Sequence, residues 1–417
     1  MVDFRPFNGV RYAAAAGSLA DLVCPPYDVI SPDDERALLA RSPHNMVRLE
    51  LAEIEGPPPA DRYAAAAASF AAMRAGEILR EDATPSYYLL RQRFTAGGVA
   101  YVRHGLLGAL RLEELGTGVL PHEDTAAGPK EDRLALMEAT NANFSPLMML
   151  YRDASGQVAA VTRRVAASAP DSDFVVDGQG YTLWPITDPA DVAAIKIALS
   201  STRAFIADGH HRYETAVGFG KSHGGSTDSV LTCMIEFDDP GLLIAPYYRV
   251  VHGLNKPKLA AMRNLLSTLF SAIAAPQSSP HELDHAVATV ARRQVALGVV
   301  EQGSGPVLLM PNDDVVPEPD PRATPADQAR AVEANVLQEL LFKPIMGDEF
   351  PDFVAYVHDP VEAMDMVASG DGQIAFFIKG VPADVFEVVV GAGIRLPRKS
   401  TYFHPKLPSG LVIKSLE

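Results

Sequence analysis

The chain has 417 residues, 47% of them apolar and 21% charged, with a net charge of −16. This is a soluble globular composition, long enough for two or three domains. No basic face is visible, which argues against nucleic acid as a main partner. Two cysteines, Cys24 and Cys233, are too few for a disulfide framework and lack zinc-ligand spacing. The N-terminus has no basic segment followed by an apolar run, and alanine-rich runs such as residues 64–68 are too short to span a bilayer. A cytoplasmic location without a membrane partner is the expectation.

Leu22-Val23-Cys24 reads as a short strand, and Pro25-Pro26-Tyr27-Asp28-Val29-Ile30 as an extended turn, because proline fixes φ and restrains the residue before it. A helix to about Ala40 starts at Ser31, with proline at its first position and Asp33, Asp34 and Glu35 in its first turn. The alternation in Met46-Val47-Arg48-Leu49-Glu50-Leu51 predicts a half-buried strand with Arg48 and Glu50 on one face. Pro57-Pro58-Pro59 breaks the chain. Residues 61–80 predict a long helix that turns Tyr63, Phe70, Met73 and Ile78 to the core. Residues 87–94 and 101–110 form a hairpin about Gly97-Gly98.

A polar block, Leu120-Pro121-His122-Glu123-Asp124-Thr125, precedes Gly128-Pro129-Lys130-Glu131-Asp132-Arg133 and a helix over residues 134–142. Strands are expected at 147–151, 181–186 and 230–237, and helices at 158–168, from Asp188 to about Ser200, and at 256–274. Residues 275–280 and 311–325, rich in Pro, Ser and Asp, read as boundaries or surface loops, and the C-terminal part keeps alternating helix and strand. The expected division is 1–275, a phosphate-binding region with insertions, and 276–417, a C-terminal α/β region. The fold class is mixed α/β, and no repeat recurs at a fixed period.

The densest chemistry lies at Asp208-Gly209-His210-His211-Arg212, where a short apolar run hands over to a helix pattern. Amides at a helix start lack intrahelical partners and carry partial positive charge, so the place suits an anion, phosphate above all. Gly209 permits a backbone most residues resist and lets a ligand approach. Arg212 offers two-pronged phosphate binding, and His211 can donate or exchange protons. Cationic side chains at a helix N-terminus oppose the dipole, and an anion relieves that conflict. Among more distant residues, Glu123 and His122 suit general acid–base work or, for the glutamate, a magnesium ion. Lys130 and Arg133 can neutralise phosphoryl charge. The plain alternative for that segment is a solvated loop and helix face, for Arg48 and Glu50 an ion pair on a strand, and for Asp28 a turn cap.

Several chemistries fail on sequence. There is no Walker A loop, GxGxxG, GxSxG or kinase HRD/DFG set. A metal site from His122, His210 and His211 with Asp208 or Glu123 needs loop geometry, since adjacent histidines on a helix diverge.

Six blocks together resemble the signature of a widespread prokaryotic family catalogued as a domain of unknown function. They are Cys24-Pro25-Pro26-Tyr27-Asp28-Val29-Ile30-Ser31, Asn45-Met46-Val47-Arg48-Leu49, the Leu120 block, Asn143-Phe144-Ser145-Pro146, the run from Ala207 through Asp208-Gly209-His210-His211-Arg212-Tyr213-Glu214-Thr215 to Ala216, and Lys399-Ser400-Thr401-Tyr402-Phe403-His404-Pro405-Lys406. The Asp208 turn in its own right resembles the phosphate-binding turn of the ParB/sulfiredoxin-like superfamily, which includes ADP- or ATP-dependent free-serine kinases. That resemblance implies a ParB-like core, ATP or ADP gripped by Asp208, Gly209, His210, His211 and Arg212 with Lys130 and Arg133, and Mg²⁺. It further implies transfer to a small hydroxylated metabolite, with free L-serine the specific candidate. Glu123 is the expected base, assisted by His122 and His211, with Glu50 second; Tyr27, Asp28, Arg48 and Glu50 are assigned to the substrate. His210 stands where sulfiredoxin has a cysteine, so that redox chemistry is not expected, and the missing basic portion counts against a partition role. A non-catalytic nucleotide- or phosphometabolite-binding regulator and a metal-dependent hydrolase are the alternatives.

Overall fold

A computed structural model describes residues 1–51, 61–124, 128–275, 279–292 and 294–416. The expected break at Pro57-Pro58-Pro59, Thr125 and part of the 275–280 loop lie outside the described residues. The fold is mixed α/β, and its chain divides into Met1–Leu242 with Pro405–Glu417, and Leu243–His404.

The first unit is built on a nine-stranded sheet among the described residues. Its long hairpin pairs Tyr87–Ala96 with Val99–Arg111 around Gly97 and Gly98, both at positive φ. Gln179–Ile186 adds to one side of the hairpin and Ser229–Glu236 to the other, both antiparallel. Leu147–Tyr151 runs parallel to Ser229–Glu236 and antiparallel to Ala204–Asp208. Apolar side chains of Tyr87, Leu106, Met149, Trp184 and Ile206 close one core over this sheet. Burial of that kind, at about 25 cal/mol per Å² of apolar surface, is the main stabilising term. A four-stranded sheet in the order Leu79–Glu81, Gly9–Tyr12, Ile413–Ser415 and Ala142–Asn143 brings residues near both chain ends together, over a second core that includes Phe70, Met73 and Phe144.

The second unit has a six-stranded antiparallel sheet in the order Phe270–Ala274, Val307–Pro311, Leu297–Glu301, Ile374–Phe377, Tyr248–Val251 and Val354–Val357. The helices Pro280–Val290 and Pro360–Ser369 bury Leu283, Val287 and Val367 against it.

Most expected elements form, including the Ser31 capping box and the Asp188 cap. Three differ. Leu22 ends a short helix, Leu19–Leu22, and Cys24 makes only an isolated bridge to Ser409. Residues 47–50 are a helical turn, Val47–Glu50, because the buried Asn45 side chain accepts the Val47 amide at 2.9 Å and caps it. The 256–274 segment is helix only to Leu269, after which Phe270–Ala274 pairs as a strand with Val307–Pro311. Among the described residues no helix is long and apolar enough to cross a membrane.

Candidate functional site

The buried run Ala204–Asp208 ends the strand, and its register against Leu147–Tyr151 slips between Ile206 and Asp208. A slip of this kind kinks a strand and re-aims the residues after it. Gly209 then takes φ 96°, ψ 30°, and the helix His210–His223 begins with no side-chain cap. A Cβ on Gly209 would stand 2.6 Å from Leu147 Cδ2, so position 209 requires glycine on both conformational and packing grounds.

Asp208 is the centre of the turn. One carboxylate oxygen accepts from Arg212 at 2.6 Å, and the other accepts from Lys406 Nζ. Burial pushes its pKa up, but the Lys406 ammonium and the Arg212 guanidinium outweigh burial and hold it well below the ordinary aspartate value. A carboxylate so acidic is a poor proton acceptor; its role is to anchor two cations. Arg212 also donates to the Pro146 carbonyl at 2.9 Å. Burial would lower the arginine pKa, yet Asp208 first, then Asp28, Tyr27 and Glu50, keep it raised. The conflict between cations and the helix dipole is met in part from inside the protein, by Asp208.

Lys406 is held in place by an extended strut. Buried Arg103 donates to Gln92 Oε1 at 2.7 Å and to the Pro405 carbonyl at 2.5 Å. Beside the turn, Arg133 bonds Glu50 Oε2 at 3.0 Å, the Glu50 carbonyl at 3.0 Å and Asp132 at 2.7 Å. Its guanidinium lies 4.0 Å from the centre of the Tyr27 ring. Ser409 donates to the other Glu50 oxygen at 2.6 Å. Burial, ahead of the neighbouring charges, raises the Tyr27 phenol pKa. Glu50, Arg133, Asn143, Ser145 and Arg212 line one small cavity.

A second cluster surrounds His210. His122 donates its backbone N–H to His210 Nε2 at 3.2 Å, and its Nδ1 lies 2.7 Å from the Ile206 carbonyl. A carbonyl only accepts, so His122 carries its proton on Nδ1. His210, accepting at Nε2, carries its own on Nδ1, which faces Glu123 Oε1 at 3.8 Å. The rings meet edge to face, with centroids 4.5 Å apart.

The fold therefore brings together Tyr27, Glu50, Arg133, Asp208 and Arg212, and separately His122, Glu123 and His210, joined through the first turn of the His210 helix. Asp28 is exposed on the turn Tyr27–Val29 and contributes through its charge. His211 stands in that first helical turn and accepts the Thr215 hydroxyl on its carbonyl. Lys130 pairs with Glu214 on the same helix. Arg48 and Glu50 do not share a face, because the segment is helical; Arg48 Nε is buried without a hydrogen-bond partner among the described residues. Lys406 and Ser409 escaped the sequence reading as site residues. The unusual block ending at Lys406 was a signal for the lysine, whereas nothing marks Ser409.

Among solved structures, a free serine kinase variant in complex with ADP is 13% identical, with a TM-score of 0.35, covering 70% of this chain and 89% of that one. A conserved hypothetical protein from Pyrococcus furiosus is 13% identical at a TM-score of 0.34, with 72% and 92% covered. SbnI with a C-terminal truncation, from Staphylococcus aureus, is 10% identical at 0.37, with 72% and 84% covered. No curated protein matches the chain. The family described as protein of unknown function (DUF1015) matches residues 4–328, most of the sequence, and this chain belongs to it.

Proposed function

We propose that the chain is a small-molecule phosphotransferase that uses ATP or ADP, with a hydroxylated metabolite, free L-serine the specific candidate, as acceptor. The observation that carries this reading is the Asp208 turn. A bulged strand and a glycine at φ 96° lead into an uncapped 14-residue helix, beside a carboxylate that holds two cations. Helix-start amides beside two cationic side chains in a buried setting favour a phosphate group. The likeness of Asp-Gly-His-His-Arg to a nucleotide-gripping turn names the anion. In this reading Arg212 and Lys406 position the phosphates. Arg133 and Lys130, each already paired with a carboxylate, shape the site and screen charge.

The base assignment follows from exposure, since Glu50 and Asp208 are the more buried carboxylates. Both Glu50 oxygens are engaged, by Arg133 and Ser409, and both Asp208 oxygens by cations. Glu123 keeps a quarter of its side-chain exposure and faces a histidine, so it is the proton acceptor of choice. Among the described residues no group of three or more His, Cys, Asp or Glu side chains is placed to hold a metal ion. Magnesium commonly binds through one or two carboxylates plus phosphate oxygens, and Asp28 or Glu123 supplies that much. A protein-only hydrolytic metal centre needs more ligands than this.

Titration calorimetry of the wild type with ATP, ADP and CTP tests the reading. Binding by ATP or ADP is expected, weakened at least about tenfold (1.4 kcal/mol) in Arg212→Ala; no heat with any of the three refutes it. Binding without turnover, a regulatory module, is the second reading, favoured by the engagement of Glu50 and Asp208. Phosphorus NMR with ATP, Mg²⁺ and L-serine separates the two, as only the kinase yields phosphoserine, and only if Glu123→Gln abolishes it is the base assigned.

A further inference from the structure

The second unit contains a cavity of about 330 Å³ that the site above does not use. Glu333 and Lys379 both line it. Glu333 is 2% exposed and opens the helix Glu333–Leu337. Its Oε1 has no hydrogen-bond partner among the described residues. Lys379 Nζ lies 3.4 Å from that oxygen, but donates to the Ala291 carbonyl at 2.5 Å. An unsatisfied buried acceptor is costly, more so when charged, and folded proteins retain few of them. Burial also pushes the Glu333 carboxyl up to about 7, against the pull of Lys379. This combination of a buried carboxylate oxygen without a hydrogen bond among the described residues, its long ion pair with an ammonium and a cavity is the mark of a place where a ligand completes the hydrogen bonding.

The rest of the lining restricts the ligand. Arg292 and Lys379 are cationic, while Asp320, Glu333 and Asp384 are anionic. Among the described residues a phosphorylated ligand would meet three carboxylates against two cations. A simple amine would leave both cations unmatched. A zwitterion satisfies both signs at once. Much of the remaining wall is apolar, including Val332, Val381 and Val385, so the ligand also carries a hydrocarbon portion. The volume sits at the small end of ligand cavities, roughly 300–1,000 Å³. We propose that the second unit binds a free α-amino acid with a short apolar side chain, its ammonium donating to Glu333 and its carboxylate facing Lys379. A non-covalent sensor of this kind does not rest on the phosphotransferase reading, since every residue invoked lies within Leu243–His404.

The test is calorimetry and thermal-shift measurement on the full chain with leucine, isoleucine, valine and methionine, and with serine, glutamate and lysine for contrast. At least one apolar amino acid is expected to bind, with the contrast set at least about tenfold weaker. Glu333→Gln is expected to weaken that binding about tenfold or more. Val385→Trp, which fills the half-buried wall and spares the ion pair, is expected to abolish it. The fluorescence of Trp184, in the first unit, should be unchanged in Glu333→Gln, and the far-UV circular dichroism of Val385→Trp should match that of the wild type. Failure of every apolar amino acid to bind at ~10 mM overturns the proposal. So does undiminished binding in Val385→Trp, which would place the amino acid elsewhere.

Discussion

Replacing Arg133 by methionine separates the structural from the ligand-binding part of the candidate site. Methionine keeps much of the arginine stem but removes the charge. The variant loses hydrogen bonds to Glu50 Oε2, the Glu50 carbonyl and Asp132, and the contact over Tyr27. Glu50 is then a carboxylate 1% exposed with the Ser409 hydroxyl as its remaining side-chain partner in this network. Removing one member of a buried pair typically costs about 3–5 kcal/mol, whereas replacing both members by apolar groups is often near neutral. Arg133→Met is therefore expected to lose about 3–5 kcal/mol, and the double variant Glu50→Leu, Arg133→Met to recover most of it. The chain has a single tryptophan, Trp184, buried in the large sheet of the first unit, so its fluorescence follows that unit in urea. With an m-value of about 3 kcal/mol per molar, the single variant should shift the midpoint down by about 1–2 M. A shift of less than about 0.3 M, or a double variant as unstable as the single one, refutes the reasoning.

Gly209→Ala should destabilise the first unit by about 1–3 kcal/mol, read by the same midpoint, since it places a Cβ at φ 96° against Leu147; an unchanged midpoint means the turn relaxes freely. Glu236 is pushed up to about 7, mainly by burial against the help of the Asp153 amide and Arg152. Its folded value lies above the unfolded one, so its favourable contribution is present below about pH 4.5 and is lost as pH rises through 7. Glu236→Gln should therefore gain stability relative to wild type at pH 8, by about 1–3 kcal/mol, and not at pH 4; a pH-independent difference would contradict this. Burial raises both cysteine thiols, Cys24 well above its ordinary value and Cys233 up to about 12. A disulfide reagent at pH 8 should label neither in the native protein and both in urea, and rapid native labelling would show the core to be open.

Local signals were reliable where the physics is local. Ser31 and Asp188 cap helices because side-chain oxygens reach amides two or three residues on. Gly97-Gly98 closes the hairpin, and Gly209 turns strand into helix, because few other residues accept positive φ. Short alternating runs misled. In residues 46–51 the apolar Val47 and Leu49 are buried, as a strand would have them, but Glu50 is buried too, and a side chain from Asn45 decides for a helix. The strand Phe270–Ala274 was invisible because its partner, Val307–Pro311, lies across an intervening helix and strand. The Asp208 turn was legible as chemistry, yet what grips Asp208 was not: Lys406 is 198 positions away, and the Arg103 strut that supports it depends on burial. Pairing of Lys130 with Glu214 and of Arg133 with Glu50 was equally hidden, since spacing along a chain says nothing of which charges meet across it.

The first unit is discontinuous: residues before Leu243 wait for those after His404. Lys406 and Ser409 reach Asp208 and Glu50, and Ile413–Ser415 pairs between Gly9–Tyr12 and Ala142–Asn143. A ribosome adding ~5–20 residues per second spends roughly 10–30 s on the intervening segment. During that interval the second unit has all of its sequence sooner than the first can close. A nascent chain stalled between residues 212 and 405 carries the Asp-Gly-His-His-Arg turn without its lysine. The turn acquires Lys406 only once synthesis has passed that point, so its two cations meet late in the making of the chain.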